Sequence, residues 1–196
     1  MTDEFPHYLE FRHVNKTFDK PVLVDANFHV NGGETVAIIG RSGVGKSVSL
    51  NLIMGFLKPD SGQVIVANED VTKFTEEQMR PVRRKVTMVF QSGALFDSLT
   101  AAENIMSSLE LREDYDEKSK DDIVNGLLQM VGIADARDTY PADLSTGYRR
   151  AVAIARAIAA QPQCILYDEP TTMVDPIMSE HMADLMMRLN SAEIRD

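Results

Sequence analysis

A second cysteine is absent from this 196-residue chain, so Cys164 has no partner for an internal disulfide and a reducing compartment is expected. No run of 18 apolar residues occurs, which excludes a helix spanning a bilayer. The opening Met1-Thr-Asp-Glu-Phe5 is acidic and has no apolar stretch behind it, so no signal peptide is expected. Basic residues are outnumbered, 20 against 30, for a formal charge of −10. That balance argues against a broad basic face, and no nucleic-acid partner is expected. Neither an internal repeat nor a low-complexity segment is visible. The four histidines, His7, His13, His29 and His181, lack metal-ligand spacing, so no zinc site is expected. What remains is a globular composition, 44% hydrophobic and 26% charged, long enough for one domain or one domain with an insertion.

Five of the eleven glycines fall at Gly32, Gly33, Gly40, Gly43 and Gly45. The β-branched run Thr35-Val-Ala-Ile-Ile39 precedes the last three and reads as a buried strand. Behind them, Leu50, Ile53, Met54 and Leu57 recur at helical spacing, which predicts a helix over 47–57. The link, Gly40-Arg41-Ser42-Gly43-Val44-Gly45-Lys46-Ser47, matches the phosphate-binding pattern G-x4-G-K-[ST] in the strand–loop–helix setting that this pattern needs; Val48 follows it. Glycines let backbone N–H groups turn inward around phosphate, and a helix starting near Lys46 adds its positive end. Lys46 would reach the β- and γ-phosphates, and the Ser47 hydroxyl would ligate Mg²⁺. The bland alternative is a flexible glycine loop.

Residues 163–170 read Gln-Cys-Ile-Leu-Tyr-Asp-Glu-Pro. Cys164 to Tyr167 suits a central parallel strand, and Asp168 and Glu169 fall at its tip, where ligands bind in open α/β sheets. Asp168 would hold Mg²⁺, and Glu169 would orient or deprotonate an attacking water. If Asp168 is the last regular strand residue, the two acids face opposite ways and Pro170 stops the strand. A surface Asp-Glu-Pro turn is the alternative.

Further strands are expected at 8–14, 22–30, 64–66 and 86–90, with helical character from about 95 to 160. Seven acids (Glu110, Glu113, Asp114, Asp116, Glu117, Asp121 and Asp122) read as a solvated edge. Over 177–190, Met178, Met182, Leu185, Met186 and Leu189 share a helix face and read as core.

Leu144-Ser-Thr-Gly-Tyr-Arg-Arg150, ahead of the alanine-rich 151–159, resembles the LSGGQ signature of ATP-binding-cassette (ABC) ATPases. Val89-Phe-Gln91 is similar to their Q-loop, and the order of phosphate loop, Gln91, signature, Asp168-Glu169 and Asp175 is the family's order. The resemblance implies an α/β fold: a P-loop NTPase core with an antiparallel N-terminal β-subdomain and a helical insertion. It implies a nucleotide-binding core over 1–94, a helical insertion over 95–160 ending in the signature helix, and a core continuation over 161–196. Phe18 stands where the family stacks an aromatic on adenine, with a plain core residue as the alternative. Gln91 would touch Mg²⁺ and the attacking water, alongside Glu169 and Lys46 in hydrolysis. Ser145 and Gly147 would bind the γ-phosphate of ATP held by an opposed second copy of the chain, and Asp175 would lie at that homodimer interface. A transmembrane permease would be the other partner, with the chain peripheral at the cytoplasmic, inner face of the cell membrane and touching the membrane only through that permease.

Gln91–Thr100, Glu103-Asn104 and Tyr167–Thr172 followed by Asp175-Pro-Ile177 resemble the ATPases of Mla/Mce-type phospholipid transport systems, which implies phospholipid cargo. The rivals are an ATP-dependent regulatory dimerisation module without transport and a small-molecule kinase; a kinase has no use for Leu144–Arg150. The chain departs from the family with Thr146 in place of a glycine, which would crowd the opposed nucleotide or add a donor, and with Met173-Val174 in place of Gly-Leu. The family also carries a switch histidine on a strand after the helix that follows Asp175. Here that helix is nearly the last feature and His181 lies too early, so the chain is expected to stop short of the strand, and to bind ATP better than it hydrolyses it.

Overall fold

The computed structural model describes residues 7–110 and 115–190, which form two compact units, one through Val86 and one from Thr87. The readings that rest on Met1–Phe5, Glu113, Asp114 and residues 191–196 lie outside the described residues.

In the first unit a four-stranded sheet runs in the order β2-β1-β3-β4, made from β1 (Leu9–Thr17), β2 (Pro21–Val30), β3 (Ser61–Val66) and β4 (Glu69–Asp70). β1 pairs antiparallel with both neighbours: Phe11 lies opposite Phe28 on one side and Val64 on the other. The Phe11 and Phe28 rings stack at 4.4 Å. Leu9, Phe11 and Val14 join Val64, Ile65 and Val66 in the core, the inward half of the alternation read from the sequence. Helix α1 (Lys46–Ile53) packs on β3 through Leu52 and Ile53. Helix α2 (Glu76–Lys85) adds Met79 and Val82. It opens with a reciprocal capping box between Thr75 and Gln78.

Two expectations fail in this unit. Thr35–Ile39 is not a strand: Val36 is 52% exposed and Ile39 92%. The unit's sheet offers this segment no neighbour for its ladder, and β-propensity without a partner strand forms nothing. The helix expected over 47–57 ends at Ile53, so Leu57 is not on it. Gly55 adopts φ +68°, its N–H bonds to Leu52 O and Phe56 N–H bonds to Asn51 O, a Schellman close that satisfies the last carbonyls.

The second unit pairs β5 (Val86–Val89) with β6 (Cys164–Tyr167) and packs four helices: α3 (Ala101–Met106), α4 (Glu117–Met130), α5 (Thr146–Ala159) and α6 (Pro176–Asn190). The alanines of α5 allow close approach, and its buried face meets Ile105, Leu109, Val124 and Leu128. The Met178–Leu189 stripe of α6 joins this core, with Met182 1% exposed, as expected of a core face. The acids Glu110, Glu117 and Asp122 lie at or near the surface; Asp121 pairs with Arg137 at 2.5 Å, and Asp116 caps α4 through the Ser119 N–H.

Candidate functional site

The phosphate-loop residues sit together in the first unit. Gly45 precedes α1 in the left-handed conformation, φ +103°, and a Cβ there would lie 2.8 Å from Leu23 Cδ2. A Cβ at Gly40 would lie 2.8 Å from Val44 Cγ1. The left-handed φ requires glycine at position 45, whereas at position 40 the close atom belongs to the exposed Val44 side chain, which can turn away. The start of α1 carries no side-chain cap and no acid in its first turn, so its N–H groups and dipole favour an anion. Lys46 Nζ donates to Gly40 O at 3.0 Å and to Arg41 O at 3.1 Å, so the cation is already folded over the loop. Ser47 follows on the first turn of α1, with Val48 behind it; Arg41, Ser42, Gly43 and Val44 are exposed. The glycine cradle, the uncapped helix start and the folded-over lysine fit a nucleotide phosphate. Phe18, in the turn between β1 and β2, is 52% exposed with Lys16 Nζ 5.5 Å from its ring centre, a face on which a base could stack.

The second unit brings Gln91, Asp168 and Glu169 together. Asp168 N–H donates to Val89 O at 3.0 Å, so β5 and β6 end side by side and both tips open on one face. β6 stops at Tyr167, and Glu169 has φ +49°. The two acids thus separate through a left-handed residue in a turn, where strand alternation was expected. Gln91 Nε2 and Thr172 Oγ1 each donate to Glu169 Oε2 at 3.3 Å. A cleft of about 560 Å³ at these strand ends is lined by Gln91, Asp168, Thr146, Arg149 and Arg150 among others. It suits a phosphate ester with a divalent cation: the Gln91 amide, the Asp168 carboxylate and the guanidinium groups of Arg149 and Arg150 converge there.

Ser145 caps α5 by accepting from Tyr148 N–H at 3.2 Å, and its hydroxyl proton stays available to an anion. Gly147 is buried, and a Cβ there would lie 3.1 Å from Met178 Cγ. Asp175 Oδ1 accepts from Met178 N–H at 2.9 Å and caps α6. Thr146 Oγ1 accepts from Arg149 Nη2 at 3.4 Å, so this substituted hydroxyl is engaged within its own helix turn.

Sequence reasoning missed Thr172 and Arg150 as individuals. Both lie inside segments quoted for their family likeness, and nothing in their spacing marks a contact with Glu169. Arg150 is 3% exposed, and its Nη1 donates to Glu169 O at 2.5 Å. Burial lowers the guanidinium's proton affinity, and the nearby Glu169 charge restores part of it.

Residues 23–172 match the family model described as ABC transporter. The chain is 38% identical over 187 residues to methionine import ATP-binding protein MetN 1 of Pseudomonas savastanoi pv. phaseolicola, covering 93% of this chain and 56% of that protein. It is 40% identical over 164 residues to MetN of Rhodopseudomonas palustris, covering 84% and 44%. It thus spans about half the length of these relatives. Among solved structures it is similar to the dimeric ATP-binding cassette MJ0796 in a post-hydrolysis state bound to ADP and Pi, with TM-score 0.86, 31% identity, and coverage of 93% and 83%. It is also similar to CbiO1 of Clostridium perfringens, with TM-score 0.82, 25% identity, and coverage of 95% and 74%.

Proposed function

The chain belongs to the ABC transporter family of ATP-binding proteins, and from that premise we propose that it is the ATP-hydrolysing subunit that drives a membrane transporter. The observation that carries the reading is the Gln91–Glu169 contact beside Asp168 at the strand tips: two residues far apart in sequence meet where a hydrolytic water needs a base and an orienting amide.

In this reading Lys46 and the N–H groups of the Gly40–Val48 segment hold the phosphates of ATP, and Phe18 stacks on its base. Ser47, Gln91 and Asp168 would hold Mg²⁺, which when bound neutralises charge on the phosphate oxygens. Glu169 accepts the proton of the attacking water, which Gln91 orients. Ser145 and Gly147 serve the γ-phosphate bound by a second copy, and Asp175 faces that copy. The dimeric state of the solved MJ0796 cassette supports this homodimer. The family organisation supports a nucleotide-binding core to residue 94, a helical insertion from 95 to 160 and a returning core thereafter. A permease supplies the membrane passage, and the chain works from the cytoplasmic face; among the described residues no helix is long and apolar enough to cross a bilayer.

For cargo, the likeness of Gln91–Thr100 and Tyr167–Thr172 to Mla/Mce-type ATPases supports a phospholipid. The names of the MetN relatives favour methionine as a second reading. Lipid extracted from the chain co-purified with its permease distinguishes the two, against methionine-dependent stimulation of turnover.

Glu169→Gln keeps the shape of the base and removes its charge. With ATP it is expected to accumulate a dimer in light scattering while phosphate release falls by about 10²–10⁴. Lys46→Ala is expected to weaken ATP binding in calorimetry. A monomer with undiminished turnover, or an unchanged ATP affinity in the lysine variant, rejects the reading.

A further inference from the structure

Arg150 is a buried cation on the first turns of α5, and its side chain does not face solvent. Its Nε lies buried and, among the described residues, has no hydrogen-bond partner, while Nη1 donates to the Glu169 carbonyl at 2.5 Å. A buried guanidinium with an unpaired N–H is a poor stabiliser of a fold, because an apolar side chain fills the same space without desolvating charge. Its one short bond falls on a residue with left-handed backbone, which a side-chain-bearing residue keeps only when its surroundings hold it. That residue is the acid whose carboxylate accepts from Gln91 and Thr172.

We propose that Arg150 is a positioning residue for Glu169: by holding its carbonyl it keeps the left-handed turn closed and the carboxylate aimed at Gln91 and Thr172. The inference rests on the ATPase reading. It adds a link from α5 to the base within one chain. α5 begins at Ser145 and Gly147, and Gly147 packs against Met178 and Val174. A shift of the first turn of α5 is therefore passed through Arg150 to the backbone of the base.

The test uses the full protein with Arg150→Lys and Arg150→Gln. Expected are a fall in kcat of about 10- to 100-fold for glutamine, part of it recovered by lysine, with KM and ATP affinity within about twofold. Adding Arg150→Gln to Glu169→Gln is expected to cost nothing further, since both act through one group. Independently of turnover, amide exchange over 168–174 is expected to quicken in both variants while exchange in β1 and β2 stays unchanged, because Thr172 N–H itself bonds to Glu169 O. Unchanged kcat and unchanged exchange overturn the proposal. So does loss of ATP binding together with turnover, which assigns Arg150 to the fold at large. A parent protein that binds ATP without hydrolysing it rejects the ATPase reading instead, and the exchange comparison still decides whether Arg150 holds the turn.

Discussion

Gly62 and His13 face each other across β1 and β3, where the two backbones come so close that the identity of a single residue matters. His13 takes φ +52° where the ladder slips, and Gly62 takes φ +90° opposite it; a Cβ on Gly62 would lie 2.3 Å from His13 O. Gly62→Ala is expected to cost about 2–4 kcal/mol, combining left-handed strain with displaced backbone. Gly32→Ala meets nothing within 4 Å, and a change under about 0.5 kcal/mol is expected there. Urea unfolding of the pair measures both, and equal midpoints would contradict the bulge account. Glycines 40–45 were legible because a phosphate-binding pattern names them. Gly62 was not, because its need arises from a bulge in a partner strand. Arg150 was illegible for the same reason: its target lies across the fold.

Among elements, the loop from Gln91 to Leu99 is pinned by two helices. Asn104 of α3 is fully buried; its Oδ1 accepts from Phe96 N–H at 2.8 Å, and its Nδ2 donates to Phe96 O, Leu99 O and Thr100 O. Arg156 of α5 donates to Gly93 O and Ala94 O. Asn104→Ala removes the side-chain partner of backbone groups on Phe96, Leu99 and Thr100 and leaves a gap at a fully buried position, and is expected to cost about 2–3 kcal/mol, read as a lower thermal midpoint. An unchanged midpoint would mean that water replaces the amide without loss. Most elements were readable from period and punctuation: β1, β3, β5, β6, α5 and α6 fall where the pattern puts them. α2 escaped notice although Thr75 and Gln78 carry the capping-box spacing that marks it. Thr35–Ile39 misled because a run of β-branched apolar residues describes a strand's side chains and says nothing of whether a neighbour pairs with it.

For the whole molecule, pH acts from two sides. Asp60, held by Lys16 and the Thr17 N–H, Glu103, held by the Thr100 N–H and hydroxyl, and Asp116, held by the Ser119 hydroxyl and N–H, titrate below their ordinary values. A depressed carboxylate contributes stability above its unfolded value and loses it as pH falls through the folded one, so the loss belongs below about pH 4. On β6, burial pushes the Cys164 thiol from 9.0 up to about 11 and raises Tyr167 as well. A raised group contributes stability below its unfolded value and loses it as pH climbs to the folded one. The urea midpoint is therefore expected to be flat from about pH 5 to 9 and to decline on both sides. Cys164→Ala is expected to soften the alkaline decline. A midpoint that holds steady to pH 11 in the parent chain would contradict the burial of β6.

Folding of the first unit has an order imposed by the β2-β1-β3 arrangement. β1 and β2 are joined by the short turn at Phe18–Lys20 and can zip locally, on the scale of about 1–10 μs for a hairpin. β3 reaches β1 only after the chain between them has closed, and that chain holds the phosphate loop and all of α1. The cradle for a nucleotide, lying in that closing segment, is thus expected to set late in folding and to loosen when the sheet opens. A bound nucleotide therefore acts chiefly on the clock of unfolding, lengthening the lifetime of the closed sheet while leaving the first zipping step as it was.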